Sequence, residues 1–291
     1  VLLLKVAILT LFHPQEVTVN GIAVSRQGAQ VQAGNRLQED FKITGRFQIG
    51  VNPNFQRTYK GGLEITAKNN ELQLILTTTE EDLVAATVSA ESPPAAPPAA
   101  LEAQAILARS WIQSSRGRHG EFDFCDTTHC QHFKEPTPAG IKAAKQTKGL
   151  ILSWQGKTFA AAYSASCGGR TKTAAAIGWD DRNKYPYFEV ECPVCKRHEP
   201  AWTRQFDAET AARIRAAPNK ESTRLAIGRR SGWAALPSNN YDLTGFEVKG
   251  RGHGHGLGYC QRGGAGMAAQ GSTPAAILHH HFPGTNIMSS R

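Results

Sequence analysis

A chain of 291 residues, 40% hydrophobic and 20% charged, has the balance of a globular protein with a sizeable core, which excludes a disordered or fibrous chain. Its formal net charge of +9 suits a polyanionic partner such as nucleic acid, anionic lipid or a cell-wall polymer. No basic helix, aromatic RNA-binding pattern or zinc-finger spacing accompanies that charge, so nucleic acid is set aside.

The opening run Val1 to Leu9 is too short to span a bilayer and is interrupted by Lys5, so it reads as a first core strand. The alternative reading of the run is the stump of a signal peptide or membrane anchor, with any export signal lying outside this sequence. Residues 1–85 read as a β-rich portion. Val17-Thr18-Val19, Phe47-Gln48-Ile49, Leu63 to Thr66 and Leu72 to Leu76 alternate or run apolar between turns such as Lys68-Asn69-Asn70. Residues 92–100 hold four prolines, which forbid a strand interior and any helix before the last of them. That stretch reads as a linker or a rigid loop.

A helix is expected over about 100–114, where Leu101, Ala105, Ala108 and Ile112 share one face; its alanines suit close packing at the centre of the body. Glu102 falls in the first turn of that helix as read, where the macrodipole favours a carboxylate. A second helix over about 138–148 stops at Gly149. Residues 150–165 read as a hairpin turning at Gln155-Gly156. Another helix is expected at 207–216, an irregular polar stretch at 217–241, a Gly-rich loop at 250–266 and a last helix at 274–281. The expectation is an α+β fold with a β-rich portion at 1–85 and a mixed catalytic portion at 86–291, packed around the Ala-rich helix.

The six cysteines permit either disulfides or metal binding and leave the redox compartment open. His119, Cys125, His129 and Cys130 lie within twelve residues, and imidazole with thiolate suits tetrahedral zinc; a Cys125–Cys130 disulfide is the alternative. Cys192-Pro193-Val194-Cys195 has CxxC spacing, compatible with metal, redox or disulfide chemistry. No thioredoxin-like βαβ pattern surrounds it. Cys167 is a candidate to join that pair, in a disulfide or a second metal site.

Several segments, in order, carry a resemblance. They are Arg57 to Ile65; Glu81 to Glu91, followed by Leu101 to Ser110; Cys125 to Gln131; Ala162 to Thr171; and Gly254 to Ala268, closed by Ile277 to Thr285. Over about 45–286 the chain resembles the SpoIID/LytB family of bacterial cell-wall proteins. It departs from the family's usual wording at Glu91-Ser92-Pro93, where Met-Pro normally follows the glutamate, and at Arg262-Gly263-Gly264, where Trp-Gly-Ala is usual.

The resemblance implies an envelope location and cleavage of the β-1,4 bond between N-acetylmuramic acid and N-acetylglucosamine in peptidoglycan glycan strands. A lytic transglycosylase needs no water and no second carboxylate, because the muramic C6 hydroxyl attacks its own anomeric carbon and leaves a 1,6-anhydro end. One glutamate then serves as acid and afterwards as base. The family match places Glu91 in that role.

The match also implies a zinc held by one histidine and two cysteines, here His119, Cys125 and Cys130, with a fourth position open to water or substrate. Arg109, Tyr163, Ser166, Gly168, Gly169, Thr171, His255 and Gln261 are the expected glycan contacts. LytB-type relatives imply a different function, a non-catalytic enhancer of a cell-wall amidase. A zinc hydrolase of amide bonds is disfavoured by the lack of an HExxH motif.

Overall fold

The computed structural model describes residues 2–93, 95–117, 119–127, 129–180 and 184–290. Val1, Pro94 and Thr128, which belong to segments read above, lie outside them. The fold is α+β, as expected.

Two compact units emerge. The first comprises Val1–Pro94 and Ile112–Lys148, the second Ala95–Trp111 and Gly149–Arg291. This differs from the single cut at residue 85 read from the sequence. A sequence reading assigns chain stretches in order, whereas here the chain leaves the first unit, returns to it and leaves again.

The first unit is built on a nine-stranded mixed sheet. Its strands are β1 (Leu3–Ile8), β2 (Glu16–Val19), β3 (Ile22–Gln27), β4 (Gln30–Ala33), β5 (Arg36–Gln38), β6 (Asp40–Asn52), β7 (Phe55–Lys68), β8 (Glu71–Thr79) and β9 (Phe124–Cys125). The order is β5-β4-β3-β2-β6-β7-β8-β1-β9. Period-two burial makes these strands: Leu4, Val6 and Ile8 of β1, and Leu72, Leu74 and Leu76 of β8, all face the core. Asn69 and Asn70 both take positive φ, at 51° and 63°, the geometry a two-residue hairpin needs between β7 and β8. β1 pairs antiparallel with β8 and parallel with β9, so the strand that carries Cys125 is set beside the first strand of the chain.

Helix α1 (Glu80–Glu91) follows β8 directly, with the Thr79 hydroxyl accepting from Asp82 N at 3.1 Å as its N-cap. Residues 83–89 are all buried, so α1 is enclosed on every side rather than amphipathic. Helix α2 (Pro98–Ser114) starts at the last proline, two residues before the expected start at about 100. Glu102 is then five residues in, past the first turn, so the dipole argument for it fails. Helix α3 (Pro138–Gln146) packs on α1, where the Ser89 hydroxyl donates to Ala85 O and accepts from Thr137 N at 2.9 Å.

Gly140 of α3 lies directly against α1. A Cβ there would sit 2.9 Å from Ala85 O and would also strike Ser89 Oγ. Gly140→Ala is therefore expected to cost about 1–3 kcal/mol by overpacking and to loosen the helix that ends in Glu91. Denaturant unfolding checks this, and an unchanged midpoint would refute it.

In the second unit, β10 (Leu150–Trp154) turns at Gln155 and Gly156, both at positive φ, into β11 (Lys157–Thr158). β12 (Tyr163–Ser164) follows, then the short helices α4 (Ala174–Ile177) and α5 (Pro193–His198), β13 (Ala201–Gln205), and α6 (Ala208–Ala216). Next come α7 (Lys220–Ser231), β14 (Tyr241–Thr244), β15 (Glu247–Arg251), β16 (Tyr259–Cys260), α8 (Gln261–Ala269), α9 (Pro274–His281) and β17 (Asn286–Ser289). Ala103, Ile106 and Leu107 of α2 pack with Leu152, Phe159, Tyr259, Ile277 and Phe282, which makes the Ala-rich helix central to this unit.

Two readings are corrected. The stretch 217–241 contains a helix, α7, and the second half of the Gly-rich loop is helix α8. Both were hidden by composition: α7 is mostly polar around the short run Leu225-Ala226-Ile227, and α8 carries three glycines because side chains already fill the space beside them. A Cβ at Gly266 would sit 2.6 Å from Val194. No helix among the described residues is long and apolar enough to cross a membrane.

Candidate functional site

Glu91 is the last residue of α1; Ser92 caps the helix through its N–H to Val88 O at 3.0 Å, and Pro93 follows. The carboxylate is half-buried, and its Oε1 accepts from His132 N at 2.8 Å. Burial pushes its pKa up, partly offset by that backbone N–H and by the nearby His132 ring. The negative pole at a helix C-terminus works in the same direction as burial. A carboxyl that holds its proton above the ordinary range is what a general acid requires.

The segment that holds Glu91 begins in a cysteine–histidine cluster. His119, Cys125, His129 and Cys130 bring one ligand atom each to within 4.8 Å of the others. His119 Nε2 lies 3.2 Å from Cys130 Sγ, and His129 Nδ1 lies 3.9 Å from Cys125 Sγ and 3.6 Å from Cys130 Sγ. The His119 ring is braced by stacking on Phe122. Contacts from Cys130, Thr127 and His129 draw the Cys125 thiol well below its ordinary pKa. His129 thus stands among the donors beside the three residues that the resemblance implied.

Asp126, between the cysteines, is buried and fixes the segment to β1. Its Oδ2 accepts from Leu9 N at 2.7 Å and its Oδ1 from the Thr10 hydroxyl at 2.8 Å. Gln131, next to Cys130, was not singled out in the sequence. Its amide is buried, and neither end finds a hydrogen-bond partner among the described residues. A cavity of about 360 Å³ in this unit is lined by Tyr59, Lys60, Asp82, Ala85, Glu135 and Lys145, and Glu91 is not part of its wall.

The expected glycan contacts all fall in the second unit, in two groups. Tyr163, Gly169 and His255 are half-buried. The His255 ring stacks on Trp179 at 5.2 Å between centroids, and its Nδ1 accepts from Leu257 N at 2.9 Å. Burial brings its pKa down to about 4, so the ring is neutral at pH 7 and Nε2 carries the proton.

The other group is internal. Arg109 is 0% exposed and donates to Leu150 O at 2.9 Å, which binds α2 to β10. It is corrected from a glycan contact to a core tie. Thr171 is likewise enclosed: its hydroxyl donates to Phe188 O and accepts from Val190 N, both at 2.8 Å. Ser166 pairs through its backbone with His253, and its hydroxyl accepts from Gly168 N at 3.4 Å. Gly168 has φ 73°, and a Cβ there would sit 2.7 Å from Arg251 O, so the close approach it permits is by this chain's own backbone. Gln261 is buried, and its amide donates to Gln104 at 3.3 Å.

The SpoIID family model, described as stage II sporulation protein, matches residues 68–154. That span includes α1, Glu91 and the whole His119–Cys130 cluster. An uncharacterised protein of Brachyspira hyodysenteriae is 27% identical over 268 residues, covering 79% of this chain and 72% of the relative. Stage II sporulation protein D of Bacillus amyloliquefaciens is 24% identical over 265 residues, covering 71% of this chain and 73% of the relative. The family match spans the very helix and cluster on which the site is built, and with the Bacillus relative it supports the SpoIID family for this part of the chain.

Proposed function

We propose that this protein is an extracytoplasmic cell-wall enzyme that cleaves peptidoglycan glycan strands as a lytic transglycosylase, with Glu91 as its acid and base. The observation that carries the reading is Glu91 itself: a half-buried carboxyl with a raised pKa, oriented by the His132 N–H, on the helix that the family match covers. The SpoIID match supports a role in cell-wall or sporulation processes.

In the reaction, protonated Glu91 gives its proton to the glycosidic oxygen as the bond to the muramic anomeric carbon breaks. The carboxylate then takes the proton of the muramic C6 hydroxyl as that oxygen closes on the same carbon. The products are a free 4-hydroxyl on N-acetylglucosamine and a 1,6-anhydro end, and Glu91 finishes protonated. One carboxyl serves both steps, so no carboxylate pair of the kind hydrolytic glycosidases use is needed. In the second unit, Tyr163, Gly169 and His255, with Trp179 behind the histidine, are the proposed sugar contacts.

In the same reading, His119, Cys125, His129 and Cys130 hold a zinc. The fit rests on two imidazoles and two thiols converging within 4.8 Å. Four protein ligands leave no open position, so the ion would supply structure and not a bound water. It would pin the segment that ends at His132, and through it the orientation of Glu91.

Digestion of purified peptidoglycan, both intact and stripped of stem peptides, tests the function through the masses of the soluble products. Lytic cleavage gives fragments one water, about 18 mass units, lighter than hydrolysis gives. Binding without any product would overturn the enzyme reading and favour a non-catalytic glycan-binding enhancer of a cell-wall amidase.

A further inference from the structure

The second unit contains a cysteine cluster that the proposed chemistry does not use. Cys167, Cys192, Cys195 and Cys260 come from three separate stretches of chain, and their sulfurs all lie within 4.8 Å of one another. All four are at most 2% exposed, and Val194 packs against them. None is disulfide-bonded, and the Cys195 and Cys260 sulfurs are 3.4 Å apart. That is far beyond the S–S bond of about 2.05 Å and close to the spacing of about 3.8 Å that a tetrahedral ion with Zn–S bonds of about 2.3 Å imposes.

Four buried thiols turned toward one another are a poor apolar core, because each presents a polarisable sulfur to three others. The surroundings instead suit thiolates. Cys260 Sγ accepts from Gly263 N at 3.2 Å, as N-cap of α8, and from Cys167 N at 3.3 Å. The Ser166 hydroxyl lies 3.5 Å from Cys195 Sγ. N–H and O–H donors turned toward sulfur are the supporting contacts that metal thiolates use to spread their charge. Gly263 leaves room for the cluster, since a Cβ there would stand 2.5 Å from Cys192 Sγ.

We propose that Cys167, Cys192, Cys195 and Cys260 bind one zinc ion in a closed, purely structural site. All-thiolate tetrahedral geometry selects zinc or a single iron, and the sulfurs are too close for each to sit on a different iron of a cluster. The ion ties three stretches of the second unit: the turn after β12, which carries the proposed sugar contact Gly169, the start of α5, and the start of α8. It also accounts for the burial of Ser166 and the tight fold of Gly168. In an oxidising envelope a bound zinc keeps the four thiols from pairing as disulfides. The inference is independent of Glu91 and of glycan cleavage.

The test uses the full chain carrying Cys125→Ser and Cys130→Ser, which removes the thiols of the other cluster. Elemental analysis is expected to find one zinc per chain, lost when Cys195→Ser is added. Cobalt reloading is expected to give the sulfur-to-cobalt charge-transfer intensity of four thiolates. Because a cysteine variant can misfold, the unaltered protein is also probed by alkylation and peptide mapping. Cys167, Cys192, Cys195 and Cys260 should resist alkylation until a chelator is added and then react together. Zinc absent with all four thiols reactive, two disulfides in the intact mass, or iron in place of zinc would each overturn the proposal.

Discussion

Glu91→Gln is expected to abolish glycan cleavage while leaving the fold intact. The glutamine keeps the shape of the side chain and a carbonyl oxygen to accept from His132 N, so the contact that orients the residue survives. What is lost is the transferable proton. A positioned general acid contributes about 10²–10⁴-fold, and here one group acts in both half-reactions, so the upper end of that range is expected. The wild-type rate should fall as pH rises through the raised pKa of Glu91, because the proton leaves the group that must donate it.

The stability consequence of Glu91→Gln has the opposite sign. A carboxyl whose pKa is higher in the folded than in the unfolded state contributes stability below its unfolded pKa, and that contribution is lost as pH rises through the folded value. The variant, which cannot ionise, should therefore be at least as stable as the wild type near neutral pH. Product analysis with thermal unfolding checks both halves. A variant that still releases anhydro products would move the acid elsewhere. One that is inactive but markedly less stable would give Glu91 a structural role.

Much of the first unit was legible because its strands obey simple local rules. Alternation placed β2 and the centres of β6 and β7, and the two asparagines marked the β7–β8 turn by the one conformation such residues tolerate there. Pro98 fixed the start of α2 because its ring fits a first helical turn and nothing earlier. Helix α7 was not legible, since the residues it buries include the charged pair Glu221 and Arg224 beside Ile227 and Gly228 and do not form an apolar stripe. The same limit governed the site. Spacing alone gathered His119, Cys125, His129 and Cys130, which are close in sequence. Cys260 stands 65 residues beyond Cys195, and only the fold brings it beside the others. Arg109, expected as a glycan contact, is fully buried and donates to a backbone carbonyl, a partner 41 residues on that only the fold brings near.

Arg224→Met should be among the most destabilising single changes in the second unit, at about 3–5 kcal/mol, the range for breaking one side of a buried ion pair. Glu221 and Arg224 sit one turn apart on α7, both almost fully buried, and meet through two hydrogen bonds of 2.7 and 2.8 Å. Asn239 donates to the same carboxylate at 2.7 Å. Methionine fills a similar volume but leaves the Glu221 charge enclosed with Asn239 as its remaining donor. Glu221→Gln combined with Arg224→Met removes the stranded charge and should recover a large part of the loss. Equal destabilisation in the single and double variants would show that packing, not charge, sets the cost.

A second readout separates electrostatics from packing. The Arg224 charge helps hold His255 neutral, while the Glu221 charge pulls the other way, and burial leaves the ring titrating at about 4. Removing Arg224 while Glu221 remains should raise that value toward the ordinary histidine range, and removing Glu221 should lower it further. Because the folded-state pKa lies below the unfolded one, the stability His255 contributes is present above about pH 6.5 and lost as pH falls toward 4. The Arg224 variant, at equal total stability, should lose less over that acid window. NMR titration of the imidazole reports the shift directly. A His255 pKa that does not move in either variant would sever α7 from the half-buried histidine proposed to meet the sugar.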